Sequence, residues 1–161
     1  MTPVEKFRLS QKKGGKYWGA KHKKPMQDLE GDIKHFGRNN PYIGPEDNLQ
    51  ESVATILDIR PETSDGWTHV ANEGERHFKV GAKNKRKGLK KGVPDCLVFI
   101  STEKYNGLAI ELKSQSAKGN KGRLSKEQKN WLLILEKQGW FSCVCWSLDA
   151  VEMVLSEYFN T

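Results

Sequence analysis

The chain lacks most of the features that would place it quickly. No apolar run approaches the ~20 residues that span a bilayer. Residues 1–16 are basic but have no apolar core, so no secretory signal and no membrane partner are expected. Cysteine is scarce: Cys96, Cys143 and Cys145 are three, an odd count, all in apolar strand-like runs. They suit buried thiols of an intracellular, cytoplasmic protein better than a disulfide frame. Zinc is poorly provided for, because Cys143-x-Cys145 has no second pair and His22, His35, His69 and His77 lack ligand spacing. Gly14-Gly15-Lys16 lacks the leading glycine of a phosphate-binding loop and runs into Tyr17, so no nucleotide cofactor is expected. No Ser/His/Asp nucleophile pattern can be assembled, and no stretch repeats.

What the chain does have is charge, unevenly spread. Its 161 residues carry 27 Lys+Arg and 20 Asp+Glu, a net +7, and 36% are hydrophobic, enough for one domain with one core. Residues 1–45 hold 10 basic and 4 acidic side chains, residues 79–92 hold 7 and none, and residues 113–129 hold 6 and 1. Everything else is acidic on balance. Basic blocks suit a polyanion, since each neutralised phosphate releases condensed counterions. A solvated lysine-rich surface is the alternative. If DNA is the partner, Lys83, Lys85, Arg86, Lys87, Lys90 and Lys91 would grip on one side of the acidic centre. Lys118, Lys121, Arg123 and Lys126 would grip on the other.

Residues 1–45 show no sustained period and read as a basic arm ahead of a domain at 46–161. Its aromatics Tyr17, Trp18, Phe36 and Tyr42 either stack on bases or tack the arm to the body. A helix is expected from Pro45, with Glu46 and Asp47 in its first turn, Leu49, Val53, Ile56 and Leu57 as its apolar stripe, and Pro61 as its stop. Strands are expected at 67–71, 93–101, 107–113 and 140–146. Between the last two lies a helix opened by Ser125, with Gln128 in a capping box, Trp131, Leu132 and Leu135 as its stripe and Gly139 at its end. Ser147 or Asp149 caps a final helix lined by Val151, Val154, Leu155 and Tyr158. Helices and strands in this order make an α/β fold.

The informative segment is Pro94-Asp95 followed at a distance by Glu111-Leu112-Lys113. If the hairpin turn centres near residue 104, paired numbers sum to about 208, and direct neighbours lie ~4.5–5.5 Å apart. Asp95 then faces Lys113 and lies diagonal to Glu111, and Glu111 and Lys113 share a face. Two carboxylates so placed repel unless a cation stands between them. Mg²⁺ needs only one or two carboxylates and keeps its waters. Such an ion polarises a phosphoryl oxygen, and a lysine beside it can face developing negative charge. An exposed salt bridge of Lys113 with Asp95 and Glu111 is the plainer reading. Gln128 shares the inward stripe of its helix and could reach the scissile phosphate or Lys113, in competition with its use as a cap. On the first helix Glu46 is in phase with the inner face and Glu51 with the outer one, so Glu46 is the preferred third acid while both stay open.

The run Gly92-Val93-Pro94-Asp95-Cys96-Leu97-Val98-Phe99, then Ile110-Glu111-Leu112-Lys113, then Leu124-Ser125-Lys126-Glu127-Gln128-x-x-Trp131-Leu132 with Gly139, resembles the virus-type replication-repair nuclease domain, VRR-NUC. That domain belongs to the PD-(D/E)xK nuclease superfamily. Asn72-Glu73-Gly74 and Glu46-x-x-Leu49-Gln50 look similar to it as well. The resemblance covers roughly 46–160 and leaves 1–45 without a counterpart. It implies a restriction-endonuclease-like core, a mixed sheet flanked by helices. It implies Asp95, Glu111 and the Leu112 backbone carbonyl as ligands of Mg²⁺ or Mn²⁺, Lys113 as the catalytic lysine, and Gln128 with Glu46 in support. Stand-alone members, often phage-encoded, imply a homodimer acting on branched DNA such as four-way (Holliday) junctions in DNA repair. A flap-type or general nuclease, or a non-catalytic nucleic-acid-binding protein, are the alternatives.

Overall fold

Apolar alternation at period two and apolar stripes at helical spacing build a sheet with helices on both faces. The computed structural model describes Thr2, Glu5, residues 29–71, Asn84 and residues 87–160. Among the described residues, β1 (Lys34–Phe36), α1 (Glu46–Ile59), β2 (Trp67–His69), β3 (Cys96–Val98), β4 (Leu108–Leu112), α2 (Lys126–Lys137), β5 (Phe141–Cys145) and α3 (Leu148–Phe159) follow one another. The sheet order is β1-β5-β4-β3-β2. β4 and β5 run parallel, with α2 as the crossover, and β1 runs parallel to β5. β3 is antiparallel to both β4 and β2. This is the mixed, helix-flanked α/β core that the resemblance implied. No helix among the described residues is long and apolar enough to cross a membrane.

The sheet sorts its side chains by parity. Leu108, Ile110 and Leu112, with Cys96, Val98, Phe141, Cys143 and Cys145, pack on Leu49, Val53 and Leu57 of α1 and on Val151, Val154, Leu155 and Tyr158 of α3. The opposite face presents Val144 and, just beyond β5, Trp146 to Leu132 of α2. Glu111 is out of phase with the first set, so it points to the α2 side. The strands run from or to one end of the sheet, where α1, α2 and α3 all begin.

Four features differ from the expectations. First, Lys34–Phe36 lies in the stretch read as an arm, yet it is an edge strand; three residues are too few to display a period. It is pinned by Trp146 N–H to the Phe36 carbonyl at 3.0 Å and Tyr42 N–H to the Trp146 carbonyl at 2.6 Å. Second, Cys96 pairs with Ile110 and Val98 with Leu108, so paired numbers sum to 206, not 208. Beyond Val98–Leu108 the Ile100 carbonyl accepts from Tyr158 Oη rather than from β4, while on the other side Phe99 N–H continues the pairing with β2 by donating to the Gly66 carbonyl. Third, α2 buries Asn130, Leu132 and Leu133, while Trp131 and Leu135 are only half-buried. Fourth, Pro45 sits one place before the first helical residue of α1. Ser147, not Asp149, caps α3, accepting from Ala150 N–H at 3.2 Å. Tyr17, Trp18 and Asn72-Glu73-Gly74 lie outside the described residues.

Candidate active site

The end of β4, the entry to β3 and the first turns of α1 and α2 meet at one point. Glu111 is fully buried there and Lys113 nearly so. Lys113 Nζ donates to Glu111 Oε1 at 2.6 Å and to the Leu112 carbonyl at 2.8 Å, and stands 3.5 Å from Glu46 Oε1. Gln128 Nε2 donates to the same Oε1 of Glu111. The other oxygen, Glu111 Oε2, is buried with no hydrogen-bond partner. Asp95 Oδ2 accepts from Leu112 N–H at 2.8 Å.

Each side chain is placed by local backbone chemistry. The β3–β4 ladder stops at Cys96–Ile110. Pro94, next in the ladder, has no N–H to give the Leu112 carbonyl, which accepts from Lys113 Nζ instead. The Leu112 N–H donates to the Asp95 carboxylate in place of a ladder carbonyl. The Asp95 carbonyl in turn accepts from Val70 N–H at 2.8 Å and lies 2.9 Å from His69 Nδ1. Gln128 stands third in α2. Its Oε1 accepts from Ser125 N–H at 2.9 Å and its own N–H donates to Ser125 Oγ at 3.1 Å. The cap takes the amide oxygen, and the amide nitrogen goes to Glu111 rather than to Lys113. Gly92 has φ +78°, and a Cβ there would lie 2.6 Å from the Glu127 backbone. Glycine lets the incoming chain touch the first turn of α2. Trp131 Nε1–H fastens the same loop by donating to the Lys91 carbonyl at 3.0 Å. Glu46 opens α1 beside Lys113, whereas Glu51 is exposed on the outer face.

Burial, then the nearby Asp95 charge, push Glu111 up to about 8, with Lys113 opposing. Glu46 is also raised, first by burial and then by Asp95, against the pull of Lys113. Burial works against the Lys113 charge, but Glu111, Glu46 and Asp95 more than offset it and its pKa rises. The cluster is short of positive charge. The chemistry of the donors suits a hard divalent cation: two carboxylates, one with a buried unpartnered oxygen, beside the Leu112 carbonyl. Among the described residues no three His, Cys, Asp or Glu side chains form a ready metal cage. An ion held here would complete its shell with that carbonyl and water.

The described basic residues flank this point. Lys87, Lys90 and Lys91 are exposed on the loop that Trp131 and Gly92 fasten to α2. Lys83, Lys85 and Arg86 lie outside the described residues. Beyond Lys113 the chain makes a tight hairpin, with Ser116 N–H to the Asn120 carbonyl at 2.9 Å and a Gln115–Lys121 bridge. Lys118, Lys121, Arg123 and Lys126 are exposed on or just after it, and Lys121 Nζ donates to the Arg38 carbonyl at 2.7 Å. Sequence reasoning missed His69 and the clasp of Trp131. The only signal for them was proximity in sequence to motifs already in hand.

A mixed sheet with a carboxylate pair and a lysine at one strand end, clasped between helices, defines the nuclease class that the PD-(D/E)xK motif names. The profile of the VRR-NUC domain matches residues 47–148, and the chain belongs to that nuclease family. A solved structure described as a VRR_NUC domain protein is similar over 82% of this chain and 92% of its own, with 26% identity and a TM-score of 0.59. No curated protein matches the chain in sequence.

Proposed function

We propose that the chain is a divalent-metal-dependent DNA endonuclease whose reaction centre is Asp95, Glu111, Lys113, Gln128 and Glu46. One observation carries the proposal: Glu111 is fully buried, one oxygen gripped by Lys113 and Gln128, the other without a partner beside Asp95. Burying a carboxylate in this way costs several kcal/mol. A structural salt bridge has no use for an unsatisfied oxygen, whereas a metal ligand does. Asp95, Glu111 and the Leu112 carbonyl would hold Mg²⁺ or Mn²⁺, which when bound lowers the pKa of a water and polarises a phosphoryl oxygen.

The protein's own part is orientation and charge. Water attacks phosphorus, a P–O ester bond breaks, and the leaving oxygen takes up a proton. The Lys113 ammonium faces the negative charge that builds on the phosphoryl oxygens. Gln128 fixes the rotation of Glu111, the Leu112 amide fixes Asp95, and Glu46 keeps Lys113 charged. Exposed lysines on both sides hold the flanking phosphates. Branched DNA, four-way junctions foremost, is the substrate taken from the family resemblance. A homodimer suits it, because a two-fold pair of sites meets two equivalent strands.

The test is cleavage of a panel of duplex, flap, three-way and four-way DNA in Mg²⁺ and Mn²⁺. Paired symmetric nicks across the four-way junction are expected, together with a sedimentation mass of twice 18.3 kDa. Lys113→Ala is expected to lower kcat about 10²–10³-fold while DNA affinity holds. Wild-type protein that binds DNA and cuts none of the panel in either metal would sink the enzyme reading. A single nick beside a flap would replace junction resolution with flap processing.

A further inference from the structure

Six large apolar side chains are exposed among the described residues: Ile43, Ile59, Leu89, Phe99, Ile100 and Met153. Ile59, Phe99 and Ile100 lie at the end of the sheet away from Lys113, and Met153 lies on α3. Ile43 is different: it is 62% exposed, and it lies between a bridge to Gln115 and the first residue of α1, Glu46, which reaches Lys113. Its backbone is not free to move. It bridges Gln115, with Gln115 N–H donating to the Tyr42 carbonyl at 2.9 Å and Gly44 N–H donating to the Gln115 carbonyl at 3.0 Å. Gln115 lies two residues past Lys113 on the same extended run, so it shares the Lys113 face, and its bridge partner Ile43 sits beside it. Three residues on, Glu46 reaches Lys113.

The hairpin that Ile43 bridges is basic. Lys121 ties the 114–122 hairpin to the Arg38 carbonyl, and Lys118 and Arg123 are exposed on or beside that hairpin. Lysines and arginines grip phosphate and are indifferent to sugar and base. An aliphatic side chain held rigidly among them cannot bind phosphate. What it fits is the apolar part of the same polymer, the deoxyribose and the face of a base. Small aliphatic wedges on nucleic-acid-binding proteins pack against base steps and open them where stacking is weak.

We infer that Ile43 is a specificity contact: it packs on the sugar and base next to the phosphate cut at Asp95, Glu111 and Lys113, and favours DNA whose bases are already unstacked there. This rests on the nuclease reading above. At the branch of a junction the unstacking cost is lowest, so the contact would select branches over continuous duplex.

The experiment compares wild type, Ile43→Ala, Ile43→Leu and, as a remote control, Met153→Ala. Cleavage kinetics are measured on branched and continuous duplex DNA. Binding is read by 2-aminopurine placed in turn at each position around the branch, in a Lys113→Ala background that cuts too slowly to deplete the DNA during the measurement. Ile43→Ala is expected to raise KM on branched DNA about five-fold or more, with kcat within two-fold, and to abolish the 2-aminopurine signal at one position. Ile43→Leu should restore both, and Met153→Ala should change neither. Thermal stability should not move, since the side chain is exposed. Unchanged KM and unchanged fluorescence in Ile43→Ala, with wild type active, overturn the inference and leave the nuclease reading standing. If wild type cuts nothing, the nuclease reading fails. The fluorescence arm then decides the contact: a signal lost in Ile43→Ala supports it, and none in wild type overturns it.

Discussion

The end of the sheet where α1 and α3 finish is built from rings, and the end where all three helices begin is built from charges. At the first, Tyr158 is fully buried, stacked with Tyr105 at 6.0 Å and edge-on to Phe159 at 5.0 Å, and Tyr105 stands edge-on to Phe141 at 5.1 Å. The Tyr158 hydroxyl donates to the Ile100 carbonyl at 2.5 Å, so the ring cluster buries no unpaired hydroxyl. At the second end, Glu111 and Lys113 are buried and one carboxylate oxygen has no partner. Aromatic pairs add ~0.5–1.5 kcal/mol beyond their area. A buried ion costs several kcal/mol unless its partners are well placed. The contrast teaches that the well-satisfied packing and the unsatisfied charge, where we place the reaction centre, are lodged at opposite ends of the same strands. β4 joins them: Leu108 lies at the ring end and Leu112 at the charged end.

The largest expected effect breaks the ring end. Tyr158→Ala should lower stability by about 3–5 kcal/mol, read by urea or thermal unfolding. The fraction that stays folded should keep its turnover per active site; a matching fall in kcat would show that the two ends are not separate. A smaller effect is expected at the join. Gly92→Ala puts a Cβ at positive φ and 2.6 Å from the Glu127 backbone. A loss of about 1–3 kcal/mol is expected, along with reduced kcat, because the first turn of α2 carries Gln128. Lost stability with kcat intact would detach Gly92 from the site.

The smallest effect concerns the edge strand β1. His35 Nδ1 accepts from Trp146 Nε1–H at 3.1 Å, which requires a neutral ring. Burial, then Arg38, hold the His35 pKa below its usual 6.5. The stability it contributes is therefore present above pH 6.5 and is lost as pH falls through the lower folded value. The protection factors of amides 34–36, taken relative to the intrinsic exchange rate at each pH, should fall from pH 7 to pH 5 while those of 108–112 hold. An equal fall in β4 would make the loss global and sink the assignment to His35.

Much of this was legible in the sequence because it rests on local rules. The α1 stripe, the Ser125 cap, the Gly139 stop and the PD and ExK pieces all obey period, cap or turn chemistry within a few residues. β1 was not legible: its strand character comes from β5, more than a hundred residues away. The hairpin register was missed by one pair: the ladder centres on residue 103 rather than 104, and the Ile100 carbonyl goes to Tyr158 Oη, outside the hairpin. At the site, sequence nominated Asp95, Glu111, Lys113, Gln128 and Glu46, and the fold brings those five together. It gave no notice of His69 at the Asp95 carbonyl, since that contact depends on the pairing of β2 with β3.

The side chain at 128 carries one demand more than its neighbours do. From a single carbon it offers an acceptor to Ser125 N–H and a donor to Glu111. Glutamate in that place would keep the cap and set a second anion against the first. Lysine would keep a donor and leave the helix amide bare, and asparagine is a methylene short. Only this amide serves both, so the start of the helix and the aim of the carboxylate have to mutate together or not at all.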